Sequence, residues 1–139
     1  MLDILYISGT NMGMSRMAEG LTRQAAPDVA VLSAGVNVDP GARGVDEDAR
    51  VACAELGARC DGDPVQLTPS LADKAKVIVV LGDVDISEHV APELTVVRWD
   101  IPDPADHGLG GVDRYRTVRE SLRDRIRMLL DELGIGFNS

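Results

Sequence analysis

The chain has 139 residues, 45% of them hydrophobic, and a formal net charge of −9. That length and apolar content make a single domain over residues 1–139 with a buried core, and exclude a disordered chain. The acidity excludes nucleic acid and an anionic membrane surface as partners, because either needs a basic face, and it leaves any anion site to rest on local dipoles.

In chain order, the apolar run over residues 2–7 is read as a buried strand. Residues 8–15 form a Gly-containing turn, and residues 15–25 carry apolar side chains at helical spacing until Pro27 stops them. Residues 29–32 are read as a second strand, and Asp39-Pro40-Gly41 as a turn. A helix is expected over 46–58, with acidic residues in its first turn to suit the dipole, and Asp61-Gly62-Asp63-Pro64 breaks it. Thr68 and Pro69 open a short helix as N-cap and first helical residue. Residues 76–81 are the most apolar strand and are expected at the centre of the sheet. Residues 83–90 fit either a short helix or a loop, and 94–99 a fourth strand. A long helix over 112–133 puts Tyr115, Val118, Leu122, Ile126, Leu129 and Leu133 on one stripe. The alternation predicts an α/β fold: a four-stranded parallel sheet in order 2-1-3-4 with helices on both faces. Ligands then bind beyond the carboxyl ends of the strands, where the loops after strands one, three and four should meet.

Cys53 and Cys60 are too few for a disulfide framework. On one continuous helix they would stand about 10 Å apart, beyond bridging reach. They are read as reduced thiols of a cytoplasmic protein, Cys53 in the core and Cys60 exposed and reactive. No basic segment leads into an apolar one, and no apolar run approaches the length of a membrane span, so neither secretion nor insertion is expected.

The loop after strand one is the strongest functional signal. Gly9 and Gly13 permit positive φ, and Asn11 tolerates the left-handed region better than most residues. Consecutive N–H groups can then converge on an anion at the start of a helix. The candidate anion-binding residues are Ser8, Gly9, Thr10, Asn11, Met12, Gly13, Met14, Ser15 and Arg16. Ser15 is expected as the N-cap of the helix. Arg16 has two readings, an anion contact or a solvated surface arginine. Met12 and Met14 make the loop less polar than a phosphate site usually is, either as a binding surface or as a plug. Asp103, Asp106 and His107 share a later loop, where Asp103 precedes Pro104 as turn residues do. No metal site and no cofactor are expected from these residues. His89 is read as a surface residue.

Residues 8–19, ending Ser15-Arg16-Met17-Ala18-Glu19, resemble the low-molecular-weight protein tyrosine phosphatases and the related thioredoxin-coupled arsenate reductases. In those, strand one is followed by Cys, five residues, Arg, Ser and often Met-Ala-Glu. Ser33-Ala34-Gly35, the strand at 76–81 and the segment Trp99-Asp100-Ile101-Pro102-Asp103-Pro104-Ala105 resemble further pieces of the family in the same order. The resemblance implies that family's fold over residues 2–133, and makes Asp103 the counterpart of its general acid. It places the nucleophilic Cys on Ser8 and the phosphate-clamping Arg on Met14. Serine is un-ionised at neutral pH, and the loop offers no His or Lys to take its proton. Met14 removes a charge-assisted donor pair. The arsenate reductases' resolving cysteines fall in residues 82–92, which contain no Cys. The family's reaction is therefore expected to be absent. Ser8 and Asp103 remain the only catalytic candidates. The expected role is binding: a small oxyanion, a phosphorylated ligand or a protein partner.

Two alternatives stand beside this. One is an enzyme of a different reaction that uses residues 8–15 to hold a phosphate-like group; the loop alone also resembles the phosphoryl-carrier B domains of sugar transport systems. The other is a flavodoxin-like carrier, for which Trp99 is the one aromatic placed to stack on a flavin.

Overall fold

A computed structural model describes residues 1–102, 108 and 110–137 of the chain. Four strands, β1 (Leu2–Ser8), β2 (Val31–Gly35), β3 (Ala75–Leu81) and β4 (Val96–Trp99), form one sheet in the order β2-β1-β3-β4. Every pairing is parallel, with Ile4 beside Val31 and Val77. Among the described residues there are four helices: α1 (Met14–Ala25), α2 (Glu47–Ala54), α3 (Pro69–Asp73) and α4 (Gly111–Glu132). This is the sheet order predicted from the sequence.

Side chains alternate across a strand, so β1 supplies both faces of the sheet. Ile4 and Tyr6 join Val77, Val79 and Leu81 in a core shared with α1, α2 and α4. Leu5 and Ile7 join Ile78 and Val80 in a second core closed by Ala72 of α3 and by Ile86 and Val90. Both faces are covered, which is why β1 and β3 read as unbroken apolar runs. Among the described residues no helix is long and apolar enough to cross a membrane.

Several boundaries differ from the sequence reading. β2 begins at Val31 rather than 29, because Asp3 and the Ala30 backbone lock the register: Asp3 N–H donates to the Ala30 carbonyl and Asp3 Oδ2 accepts the Ala30 N–H. α2 ends at Ala54 instead of continuing to 58. Gly57 turns left-handed at φ 78°, and the N–H groups of Gly57 and Ala58 bond back to the carbonyls of Ala54 and Cys53. This is a Schellman stop. It folds the chain back, so Cys53 and Cys60 are neighbours rather than a helix length apart. Both are buried and their thiols hydrogen-bond each other. That bond, then burial, pushes the Cys60 thiol far above its ordinary range, so the exposed reactive thiol expected there is absent. Residues 83–90 are turns, not a helix, and His89 is half-buried rather than on the surface. Leu133 falls past the end of α4 and is 39% exposed, whereas the other five residues of the expected stripe are buried.

Gly20 sits inside α1 for a packing reason. A Cβ there would lie 2.1 Å from the Arg59 carbonyl oxygen, so only glycine lets the returning chain touch the helix. Gly20→Ala should therefore lower stability by about 1–2 kcal/mol, an overpacking cost of about 3 kcal/mol exceeding the ~1 kcal/mol that alanine gains in helix propensity. Urea denaturation reads this directly, and a more stable variant would refute the close approach.

Candidate functional site

β1 delivers Ser8 to the carboxyl edge of the sheet, and α1 begins at Met14. The loop between them is anchored by its carbonyls: Ser8, Gly9 and Met12 accept from the N–H groups of Val36, Asn37 and Asp46. Among the described residues, by contrast, nothing accepts the N–H groups of Thr10, Met12, Gly13, Met14 or Ser15. Free donors at a helix start, with the dipole behind them, suit a negative charge.

Asn11 organises the loop from inside. It is fully buried, and it is the described non-glycine residue with positive φ, at 59°. Its Oδ1 accepts the Val65 N–H at 2.9 Å, and its Nδ2 donates to Ser15 Oγ at 2.9 Å and Ser33 Oγ at 3.0 Å. Ser33 passes its own proton to Glu19 Oε1 at 2.7 Å. Ser8 and Ser15 hydroxyls meet at 2.6 Å, and the Asn11 N–H donates to Ser8 Oγ at 3.1 Å. Each hydroxyl oxygen thus accepts one N–H from Asn11, and one of the two serines donates to the other. Ser15 is not the N-cap expected from the sequence; Gly13 is, without a side-chain cap, because the Ser15 hydroxyl is spent on this network.

The loop opens into a cavity of about 510 Å³. Ser8, Gly9, Thr10, Met12, Gly13 and Met14 form one side of it. Asp46, Leu81, Arg114 and Tyr115 form the rest. The two methionines are walls rather than plugs. Asp46, the N-cap of α2, has both carboxylate oxygens engaged: Oδ1 by the Asp48 N–H, Oδ2 by Tyr115 Oη at 2.9 Å. No described His, Lys or Cys lines the cavity.

Arg16 follows neither of its two readings. It is only 8% exposed, and its guanidinium donates to the carbonyls of Asp61 and Asp63 beside Glu19. Gly62 packs so close that a Cβ there would lie 3.2 Å from the guanidinium, and neither Arg16 nor residues 61–63 line the cavity. Trp99 is also withdrawn: it is buried against Tyr6, with ring centroids 5.7 Å apart, so the stacking residue of the flavin reading is a core residue. Asp103, Asp106 and His107 lie outside the described residues. Among the described ones no cluster of His, Cys, Asp and Glu is placed to hold a metal ion.

The sequence reading missed Asp46, Leu81 and Arg114 as wall residues and took Tyr115 for core alone. An acidic helix start after a turn was visible for Asp46, and the end of the central strand for Leu81. Nothing in the sequence separates Arg114 from the five other arginines of α4.

A family model described as low molecular weight phosphotyrosine protein phosphatase matches residues 3–136. The chain is similar to the structure of an arsenate reductase from Archaeoglobus fulgidus, at 26% identity and TM-score 0.74, covering 93% of this chain and 99% of that one. It is similar to the tyrosine phosphatase Wzb from Escherichia coli in complex with sulphate, at 25% identity and TM-score 0.81, covering 96% and 100%. The arginine phosphatase YwlE of Bacillus subtilis, a cysteine-to-serine mutant with a phosphorylated active-site serine, matches at 24% identity and TM-score 0.81 over 96% of each chain.

Proposed function

The chain belongs to the low molecular weight phosphotyrosine protein phosphatase family, and from that membership we propose that it holds an oxyanion or a phosphorylated group without turning it over. One observation carries the reading: Ser8 and Met14 stand on the wall of the same cavity, a hydroxyl and a thioether where the family resemblance expects a thiolate and a guanidinium. A serine hydroxyl needs a base. The one described carboxylate in the cavity, Asp46, is occupied by Tyr115 and the Asp48 N–H. The loop N–H groups and the helix dipole remain to attract an anion, which supports binding. The arsenate reductase reaction lacks its further thiols, since Cys53 and Cys60 are buried away from this cavity. The ligand on this reading is a free oxyanion or a phosphoryl group borne by a small molecule or a protein.

The phosphorylated serine of the YwlE mutant favours a second reading, in which Ser8 accepts a phosphoryl group and keeps it. The aryl ester bond breaks, the phenolate leaves, the Ser8 Oγ–P bond forms and the serine proton passes to water. One experiment separates the two. The protein is incubated with p-nitrophenyl phosphate while p-nitrophenolate release and intact mass are followed. Neither turnover nor a mass increase is expected. A stoichiometric gain of one phosphoryl group, lost in Ser8→Ala, would establish the second reading. Sustained release that disappears in Ser8→Ala would overturn both.

A further inference from the structure

We propose that Cys53 and Cys60 are a reversible dithiol–disulfide pair, a modification site oxidised by a small-molecule disulfide of the glutathione class. They are the two cysteines of the chain, and the fold brings them together across the stop of a helix. Cys53 lies in the last turn of α2. Gly57 then turns left-handed, and the Ala58 N–H returns to the Cys53 carbonyl at 3.0 Å. Cys60 follows two residues later and joins the same core. Cys53 is 0% exposed and Cys60 2%. Their thiols hydrogen-bond each other.

A flexible tether alone gives two groups an effective concentration in the millimolar range. Here the fold also holds them in contact, which removes the remaining cost of orientation. The sulfurs have only to close from hydrogen-bond contact to a bond of about 2 Å. The chain between them is exposed at Ala54, Glu55, Gly57 and Arg59, so local opening of this short turn brings a sulfur to the oxidant. The bond with Cys60 lowers the Cys53 thiol against the opposing effect of burial, and Cys53 makes the first attack. Its thiolate takes one glutathione sulfur, the glutathione disulfide bond breaks, and a glutathione thiolate leaves and collects a proton. The Cys60 sulfur, losing its own proton, then attacks Cys53 Sγ and expels the second glutathione. The protein dithiol is oxidised by two electrons and one disulfide is reduced to two thiols. Cys60 leads into residues 61–65, where Asp61 and Asp63 hold Arg16 and the Val65 N–H donates to Asn11. The new bond ties that segment to α2.

The full chain is equilibrated with ~1 mM reduced and ~1 mM oxidised glutathione, natively and in urea, then quenched with acid, and its free thiols are alkylated before intact-mass measurement. More than half of the native protein should have lost two hydrogens and carry no glutathione. The native chain should keep this bond in a buffer about 10-fold more reducing than the unfolded chain tolerates. Cys60→Ala should show at most one glutathione adduct and no loss of two hydrogens. Two alkylated thiols in the native wild type, two glutathione adducts or a disulfide-linked dimer would each overturn the inference. So would equal oxidation of the native and unfolded chains, because the pairing would then be a property of sequence spacing alone. That comparison uses only the wild-type chain, so it decides the matter even where Cys60→Ala does not fold.

Discussion

Ser8→Cys combined with Met14→Arg should turn the chain into a phosphatase, with hydrolysis of p-nitrophenyl phosphate at least ~10³-fold above wild type, while neither single change is sufficient. The frame for a thiolate is already built. The Asn11 N–H and the Ser15 hydroxyl both lie within hydrogen-bond distance of the Ser8 side-chain oxygen. Donors of that kind lower a thiol's pKa from about 8.5 toward neutrality. With Met14 left in place, the thiolate would attack without a guanidinium to take up the charge of the transferring group. With Ser8 left in place, an arginine would bind phosphate and have no nucleophile to offer it. The two act as a unit, so the rate gain of the double change should exceed the product of the gains of the single ones. Stopped assays on the four proteins, with the rate of iodoacetate alkylation as a measure of thiolate, decide the matter. A double variant whose thiol alkylates quickly but which does not turn over substrate would show that the cavity lacks more than these two groups.

What the sequence disclosed follows from how local each cause is. β1 and β3 were legible because burial on both faces leaves a run of apolar residues that needs no partner to be recognised. Thr68 and Pro69 were legible because a cap is an interaction within one turn, Thr68 Oγ1 accepting from the Leu71 N–H. Ser15 looked like a cap by the same logic and is not one, because its hydroxyl answers to Ser8 and Asn11. The end of α2 was missed because Gly57 turns left-handed where a helical pattern continued, and the neighbouring thiols were hidden with it. Arg16 was misplaced for a different reason: its acceptors lie 45 and 47 residues away, on a turn that only the tertiary fold brings to α1. Arg114 depends on the same kind of closure. The loop over residues 8–15 could therefore be found in the sequence, but not the side chains from later elements that line the cavity with it.

Asn11→Ala should be the most damaging single change outside the packed core, lowering stability by about 3–5 kcal/mol. Three effects combine. An alanine held at positive φ costs about 1–2 kcal/mol. The Val65 N–H loses its acceptor, and a buried unpaired donor costs about 1–3 kcal/mol. Ser15 and Ser33 lose the amide that sets the direction of their protons, although their remaining partners Ser8 and Glu19 limit that part of the damage. Asn11→Gly removes the backbone strain and keeps the other two effects, so it should recover about 1 kcal/mol relative to alanine. Equilibrium urea unfolding of the three proteins measures these differences, with an unchanged m-value confirming that native stability is what moved. The combination with Ser15→Ala should cost less than the sum of the single changes, because both act on one hydrogen-bond network. A cost for Asn11→Ala below about 1 kcal/mol, or strict additivity with Ser15→Ala, would mean that the loop is held by its backbone anchors at Val36, Asn37 and Asp46 alone. The buried amide would then be packing rather than the piece that fixes the shape of the loop.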